Sequence, residues 1–250
     1  MLDNLLSLPR TILVTSNEEK ISYNWDKSSH AISKDTLVAT IEDLPQNNKI
    51  ILPKHIHEGD VLIAHPFEDG MYVNISRAVE LENSKFNRFA EIAQLLGANE
   101  YHITAATKKT YTKKLTVDGD VKYSDVCTTK LDFNKEDIFK EEMGFQLKSI
   151  FDGFHKANED DYALVLANVR QYNLEEEDSL RSLIRMRNPQ IANAQTEFDV
   201  ICNVTQELNE NLDAALSLTA CKAFNLKASV KQILESRTEK RVEIHYSFPK

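Results

Sequence analysis

Glycine is scarce in this chain of 250 residues, which carries six of them, Gly59, Gly70, Gly97, Gly119, Gly144 and Gly153, where an average protein has roughly 7%. None falls in a phosphate-loop, dinucleotide or Gly-x-Ser-x-Gly pattern, which excludes the glycine-dependent forms of nucleotide binding and serine hydrolysis. Cysteine is scarcer still: Cys127, Cys202 and Cys221 are far apart and odd in number, with no Cys-x-x-Cys pair. That excludes a zinc ribbon and a thioredoxin-type motif, and it points to reduced thiols in a cytoplasmic protein. Positive charge is also in deficit. Thirty Lys and Arg face 39 Asp and Glu, a formal net charge of −9, so a nucleic-acid partner is not expected. No apolar run reaches the ~18 residues of a membrane-spanning helix, whereas a membrane β-hairpin needs only about 9–11 alternating residues per strand. Met1 to Arg10 lacks the basic flank and long apolar stretch of a signal peptide.

What the chain does have is an ordinary globular balance, 42% apolar and 28% charged. We expect a single α+β domain over 1–250, with a weak two-part organisation at 1–134 and 135–250. The sheet is expected to be mainly antiparallel. Its long amphipathic hairpins, about 101–133 and 196–248, pack against helices at about 84–96, 136–172 and 176–187.

In the first part, Thr11-Ile12-Leu13-Val14-Thr15 reads as a strand, with Ile21, Tyr23 and Trp25 alternating as its partner. Asp35 is placed to cap a short helix reaching Asp43. Ile50-Ile51-Leu52, Val61-Leu62-Ile63-Ala64 and Met71 to Ile75 read as further strands. The clearest helix follows, with Phe86, Phe89, Ala90, Ala93 and Leu96 on one stripe, Asn83 or Ser84 as its cap, and Gly97 at the left-handed position past its end. Asp118-Gly119 then marks the turn of a long polar hairpin.

Farther on, Asn158 caps a helix with Glu159-Asp160-Asp161 in its first turn, where the helix dipole favours carboxylates. Leu180, Leu183 and Ile184 form the inward stripe of another, stopped by Asn188-Pro189. The last fifty residues read as a three-strand meander whose middle strand runs from Leu212 to Val230. Up to Phe224 a helical stripe at 212, 215, 216, 219, 220, 223 and 224 fits the letters equally well. Continued alternation through Leu226, Ala228 and Val230 decides for strand.

Two constellations could carry chemistry. His55, His57 and Asp60 are the candidate metal ligands, because histidines at i and i+2 of an extended segment project to one side. The run His-Ile-His-Glu-Gly-Asp resembles the His-x-His-x-Asp-His motif of the metallo-β-lactamase fold, with Gly59 standing where that motif has Asp and Asp60 where it has His. The balance of the residues favours no metal and no cofactor. The second constellation is Lys108, Lys109, Tyr111, Lys113 and Lys114, which suits an acidic partner or anionic lipid headgroups, or equally a sheet edge guarded by lysines.

With no catalytic motif, the expected function is non-enzymatic and cytoplasmic, acting through contacts of an extended sheet with a protein partner or with further copies of the chain. A membrane-acting effector that inserts amphipathic hairpins is the alternative, because the helix-flanked hairpins are similar in outline to perforin-type and gasdermin-type pore formers. A metal-dependent hydrolase using His55, His57 and Asp60 is the third reading.

Overall fold

The computed structural model describes residues 8–44, 50–81, 83–118, 120–132, 148–155, 157–191 and 195–250. The fold is α+β with mostly antiparallel sheets. The chain forms two compact units that interleave along the sequence. One comprises Met1–Val79, Thr110–Thr129 and Glu207–Thr238; the other comprises Glu80–Lys109, Lys130–Gln206 and Glu239–Lys250. The expected helical start over 136–147 and Gly119 of the expected turn lie outside the described residues.

The first unit is built on a sheet of order β2-β1-β3-β4, from Thr11–Val14 (β1), Thr36–Ala39 (β2), Val61–Ala64 (β3) and Tyr72–Asn74 (β4). β1 pairs in parallel with β2 and antiparallel with β3. β1 is buried along its whole length, as a continuous apolar run requires of a central strand. Ile12, Val14, Ala39, Leu44, Leu62 and Tyr72 form its core cluster.

Three expectations are overturned in this unit. Ile21, Tyr23 and Trp25 lie on a helix, Asn17–Trp25 (α1), not on a strand. Ser16 caps it by accepting from the Glu19 amide at 3.2 Å, with Glu18 and Glu19 in the first turn. This N-terminal signal outweighs the alternation, whose residues Ile21 and Trp25 stay 61% and 85% exposed. The helix expected after Asp35 is instead β2, where Thr36 and Val38 supply β-branched side chains beside β1. Finally, the strand expected from Leu212 to Val230 is a helix, Gln206–Leu216 (α6 in chain order), then a short 3₁₀ turn at Ser217–Ala220 and a second helix, Ala228–Glu235 (α7). Leu208, Leu212, Ala215 and Leu216 are buried together as a helical stripe. The side chain of Asn211, on the same face, donates to the carbonyl of Ala64 at 2.8 Å. The alternation therefore ran across four different local structures and described none of them.

The second unit holds the inner helices. Ala78–Leu81 (α2) leads to Ser84–Leu95 (α3), whose Phe86, Phe89, Ile92 and Ala93 are buried as the stripe requires. Neither Asn83 nor Ser84 caps it through its side chain: Asn83 makes no cap bond, and the Ser84 hydroxyl donates to Leu81. Glu159–Gln171 (α4) is capped as expected, with Asn158 accepting from the Asp161 amide at 2.7 Å, and it packs on α3. Asp178–Met186 (α5) buries Leu180, Leu183 and Ile184 and packs on Glu197–Asn203 (β8).

The second sheet has the order β6-β5-β9-β8, from Glu100–Asp118 (β5), Asp120–Asp132 (β6), β8 and Ser236–Ser247 (β9), with Lys148–Ile150 (β7) antiparallel on β5. β5 and β6 realise the hairpin expected near 101–133. β8 and β9 are antiparallel from Glu197↔Ser247 to Asn203↔Arg241, so the terminal hairpin has two strands with α6 and α7 inserted between them in sequence.

Gly97 closes α3 with φ +93°, a conformation that other residues resist. A Cβ there would lie 2.6 Å from the Phe154 carbonyl oxygen and 2.7 Å from its ring. The Phe154 amide donates to the Gly97 carbonyl at 3.1 Å, and the Phe151 amide to Asn99 at 2.7 Å. This close approach fixes the 151–154 segment against the end of α3. Gly97→Ala is expected to lower unfolding free energy by about 1–3 kcal/mol, from strain at positive φ and the clash together. Urea denaturation followed by circular dichroism checks it.

Candidate functional site

The strands of the second unit separate two faces by their two-residue period. Tyr101, Ile103, Val200, Cys202, Val242, Ile244 and Tyr246 are buried on the inner face. Phe86 of α3 meets Tyr101 edge-on at 5.6 Å between ring centroids, and Tyr101 lies 6.2 Å from Tyr246. The Tyr246 hydroxyl is fully buried and has no hydrogen-bond partner among the described residues. Burial, with Cys202 and Tyr101 adding to it, pushes its pKa well above the ordinary tyrosine value. It is a neutral core residue, not an acid available to solvent.

The outer face is polar and open. The register sets Asp199 opposite His245, Ile201 opposite Glu243 and Asn203 opposite Arg241. His245 Nδ1 lies 2.7 Å from the Asp199 carboxylate, and the His245 ring lies 4.9 Å from that of His102. Across β5 and β7, Glu100 faces Ile150 and His102 faces Lys148, and the Lys148 ammonium reaches Glu100 at 2.8 Å. Opposite charges thus alternate over one surface, with two apolar side chains set among them: Ile150 is 74% exposed and Ile201 45%. Both isoleucines continue the apolar letters of their strands while pointing away from the core, so their exposure could not be read without the register.

The nominated residues sit elsewhere. Asp60 uses its carboxylate to accept from the His57 backbone amide at 2.8 Å, while its own amide donates back to the His57 carbonyl at 3.1 Å. The His57 ring stands 3.8 Å from that carboxylate, and His55 is exposed. The trio therefore closes the turn into β3. Among the described residues, no group of three His, Cys, Asp or Glu side chains is gathered as metal ligands would be. Of the lysine cluster, Lys113 bonds the Asp213 carboxylate at 2.7 Å and Lys109 lies 3.8 Å from Glu239. Lys114 is exposed, and Lys108 and Tyr111 are partly buried. Asp213 also receives Nε of Arg237 at 2.8 Å; that buried guanidinium further donates to the carbonyls of Leu234 and Ser236 at 2.7 Å. Arg237 Nη2 is 2.8 Å from the same carboxylate oxygen but off the hydrogen-bond direction.

No helix among the described residues is long and apolar enough to cross a membrane. No protein-family model, curated protein or solved structure matches the chain.

The Lys148 hydrogen bond, and behind it the positive charge of Lys148, His102 and His245, holds the Glu100 carboxyl below the usual carboxylate range. The sign follows from the lowered value. The contribution of this pair to stability is complete above the ordinary glutamate pKa and fades as pH falls through the lowered one. Carboxyl titration by NMR is expected to place Glu100 below the exposed glutamates, and Lys148→Met to return it toward them.

Proposed function

We propose that the chain is a non-enzymatic, cytoplasmic protein that works by protein contact, and that the outer face of the β5–β9–β8 sheet meets a second copy of itself. The observation that carries this reading is the composition of that face. Acidic Asp199, Glu197 and Glu243 alternate with Lys148, Arg241 and His245 around exposed Ile150 and Ile201. A surface with both signs interspersed is self-complementary under a two-fold axis, which is the commonest symmetry of soluble oligomers. Ile150 on β7 and Ile201 on β8 flank the face on either side of β5 and β9, and each would provide a dry contact against the second copy. Cys202 and Cys221 are buried and in no disulfide, which supports a reducing compartment. Lipid contact through the lysine cluster draws less support, since Lys113 and Lys109 already hold carboxylates.

Light scattering coupled to gel filtration tests the reading. The wild type is expected to elute at a multiple of its 28.6 kDa chain mass. The double variant Ile150→Lys, Ile201→Lys is expected to elute as a folded monomer, because burying either lysine in a dry interface costs several kcal/mol. A wild type that stays monomeric up to high micromolar concentration would overturn it.

A further inference from the structure

The helical side of the second unit carries a different surface. An open groove of about 520 Å³ lies between α3, α4 and the 151–154 segment. Leu95, Phe154 and Leu164 give it an apolar lining, and Leu164 is 47% exposed. Its rim carries Glu91, Asp152 and Asp161, with no lysine or arginine among the lining residues. Glu91 is shared with Arg88 at 3.1 Å, and Asp161 accepts from the Asn158 side chain at 2.6 Å, so two of the three carboxylates have local duties. Asp152 is exposed and has no ion-pair or hydrogen-bond partner among the described residues.

The deciding feature is Asn168. It is only 8% exposed and lines the groove, and its carboxamide makes no hydrogen bond among the described residues while keeping contact with solvent. A ligand group seated in the groove would complete its hydrogen bonds. Acceptor carboxylates at the rim and an amide oxygen at the floor together suit a donor-rich cation, and the apolar lining suits the aliphatic stem that carries it.

We infer that this groove binds a basic, amphipathic segment of a partner protein, seating a lysine or arginine head between Asp152 and Asn168 with its stem and a neighbouring apolar side chain against Leu95, Phe154 and Leu164. The inference rests on the reading of the chain as a protein that works by contact, but it uses a surface separate from the outer sheet face, so either can fail alone.

The test is fluorescence anisotropy of the full chain with a fluorescein-labelled twelve-residue peptide of alternating Lys, Arg and Leu. Asp152→Lys and Asn168→Leu are each expected to weaken binding about tenfold, the equivalent of one lost charge-assisted bond. Asp152→Lys changes an exposed loop and keeps the fold testable if Asn168→Leu does not fold. Glu18→Lys, an equal charge change on α1, and the double isoleucine variant of the sheet face are expected to leave the affinity unchanged. Equal weakening by Glu18→Lys, unchanged affinity in Asp152→Lys, or saturation by spermine with no effect of Asp152→Lys would overturn the inference, since each reduces binding to the chain's overall negative charge.

Discussion

One buried guanidinium holds the second unit together. Arg187, the residue that ends α5, is 1% exposed, and no carboxylate pairs with it among the described residues. Its donors go to backbone carbonyls instead: Nε to Leu96 at 3.2 Å, Nη1 to Gln195 at 3.1 Å, and Nη2 to His155 at 2.8 Å and Phe154 at 3.4 Å. Its guanidinium carbon lies 4.1 Å from the centre of the Phe248 ring. Burial draws its pKa down from the ordinary arginine value, though it starts high enough to remain charged. Removing such a group from water costs several kcal/mol, which charge-assisted hydrogen bonds of about 1.5–3 kcal/mol each offset, with a further contribution from the aromatic face. The carbonyls at the end of α5 add their own negative field. Lysine could not replace it, because the segments converge from different directions and only the planar fork reaches them all.

The segments that Arg187 joins are those that place both proposed surfaces. Leu96 is the last residue of the α3 end, followed by Gly97, and Phe154 belongs to the stretch that closes on it. Together they set one wall of the groove. Gln195 leads into β8, and Phe248 follows β9, so the same side chain anchors the strand pair whose other face is open to solvent. A second buried cation repeats the strategy in a smaller way: the Lys85 side chain is fully buried and pairs with Glu177, which ties the start of α3 to the entry of α5. In the first unit Asp213 plays the converse part, gathering Lys113 and Arg237 onto α6. Arg187, Lys85 and Arg237 are each a charge withdrawn from water that fixes a junction apolar contact alone would leave free to slide.

The α+β class, α3 with its Gly97 stop, the Asn158 cap and the stripe of α5 were legible because each rests on local physics: a 3.6-residue stripe, a capping side chain, a left-handed glycine. The Leu212 to Val230 stretch was not, because alternate apolar letters fit two periods and only the tertiary packing that buries Leu208, Leu212 and Ala215 decides between them. Ile21 to Trp25 misleads for a related reason: its alternate apolar letters suit a strand, and the Ser16 cap on the Glu19 amide beside them decides for helix. The surfaces were less legible still. Asn168 and Arg187 are polar letters at helical positions that look solvent-facing in sequence, and their burial depends on neighbours far along the chain. Ile150 and Ile201 look like core and are not.

The dependence on Arg187 is tested most directly by Arg187→Met, which keeps an unbranched apolar stem and removes every donor. A loss of about 3 kcal/mol or more in unfolding free energy is expected, since four carbonyls, one in a buried hydrogen bond and three in partly buried ones, lose their donors at once. Faster hydrogen exchange is also expected at the Phe154 amide, which bonds to Gly97. An Arg187→Met protein within about 1 kcal/mol of wild type, with the Phe154 amide still protected, would contradict it.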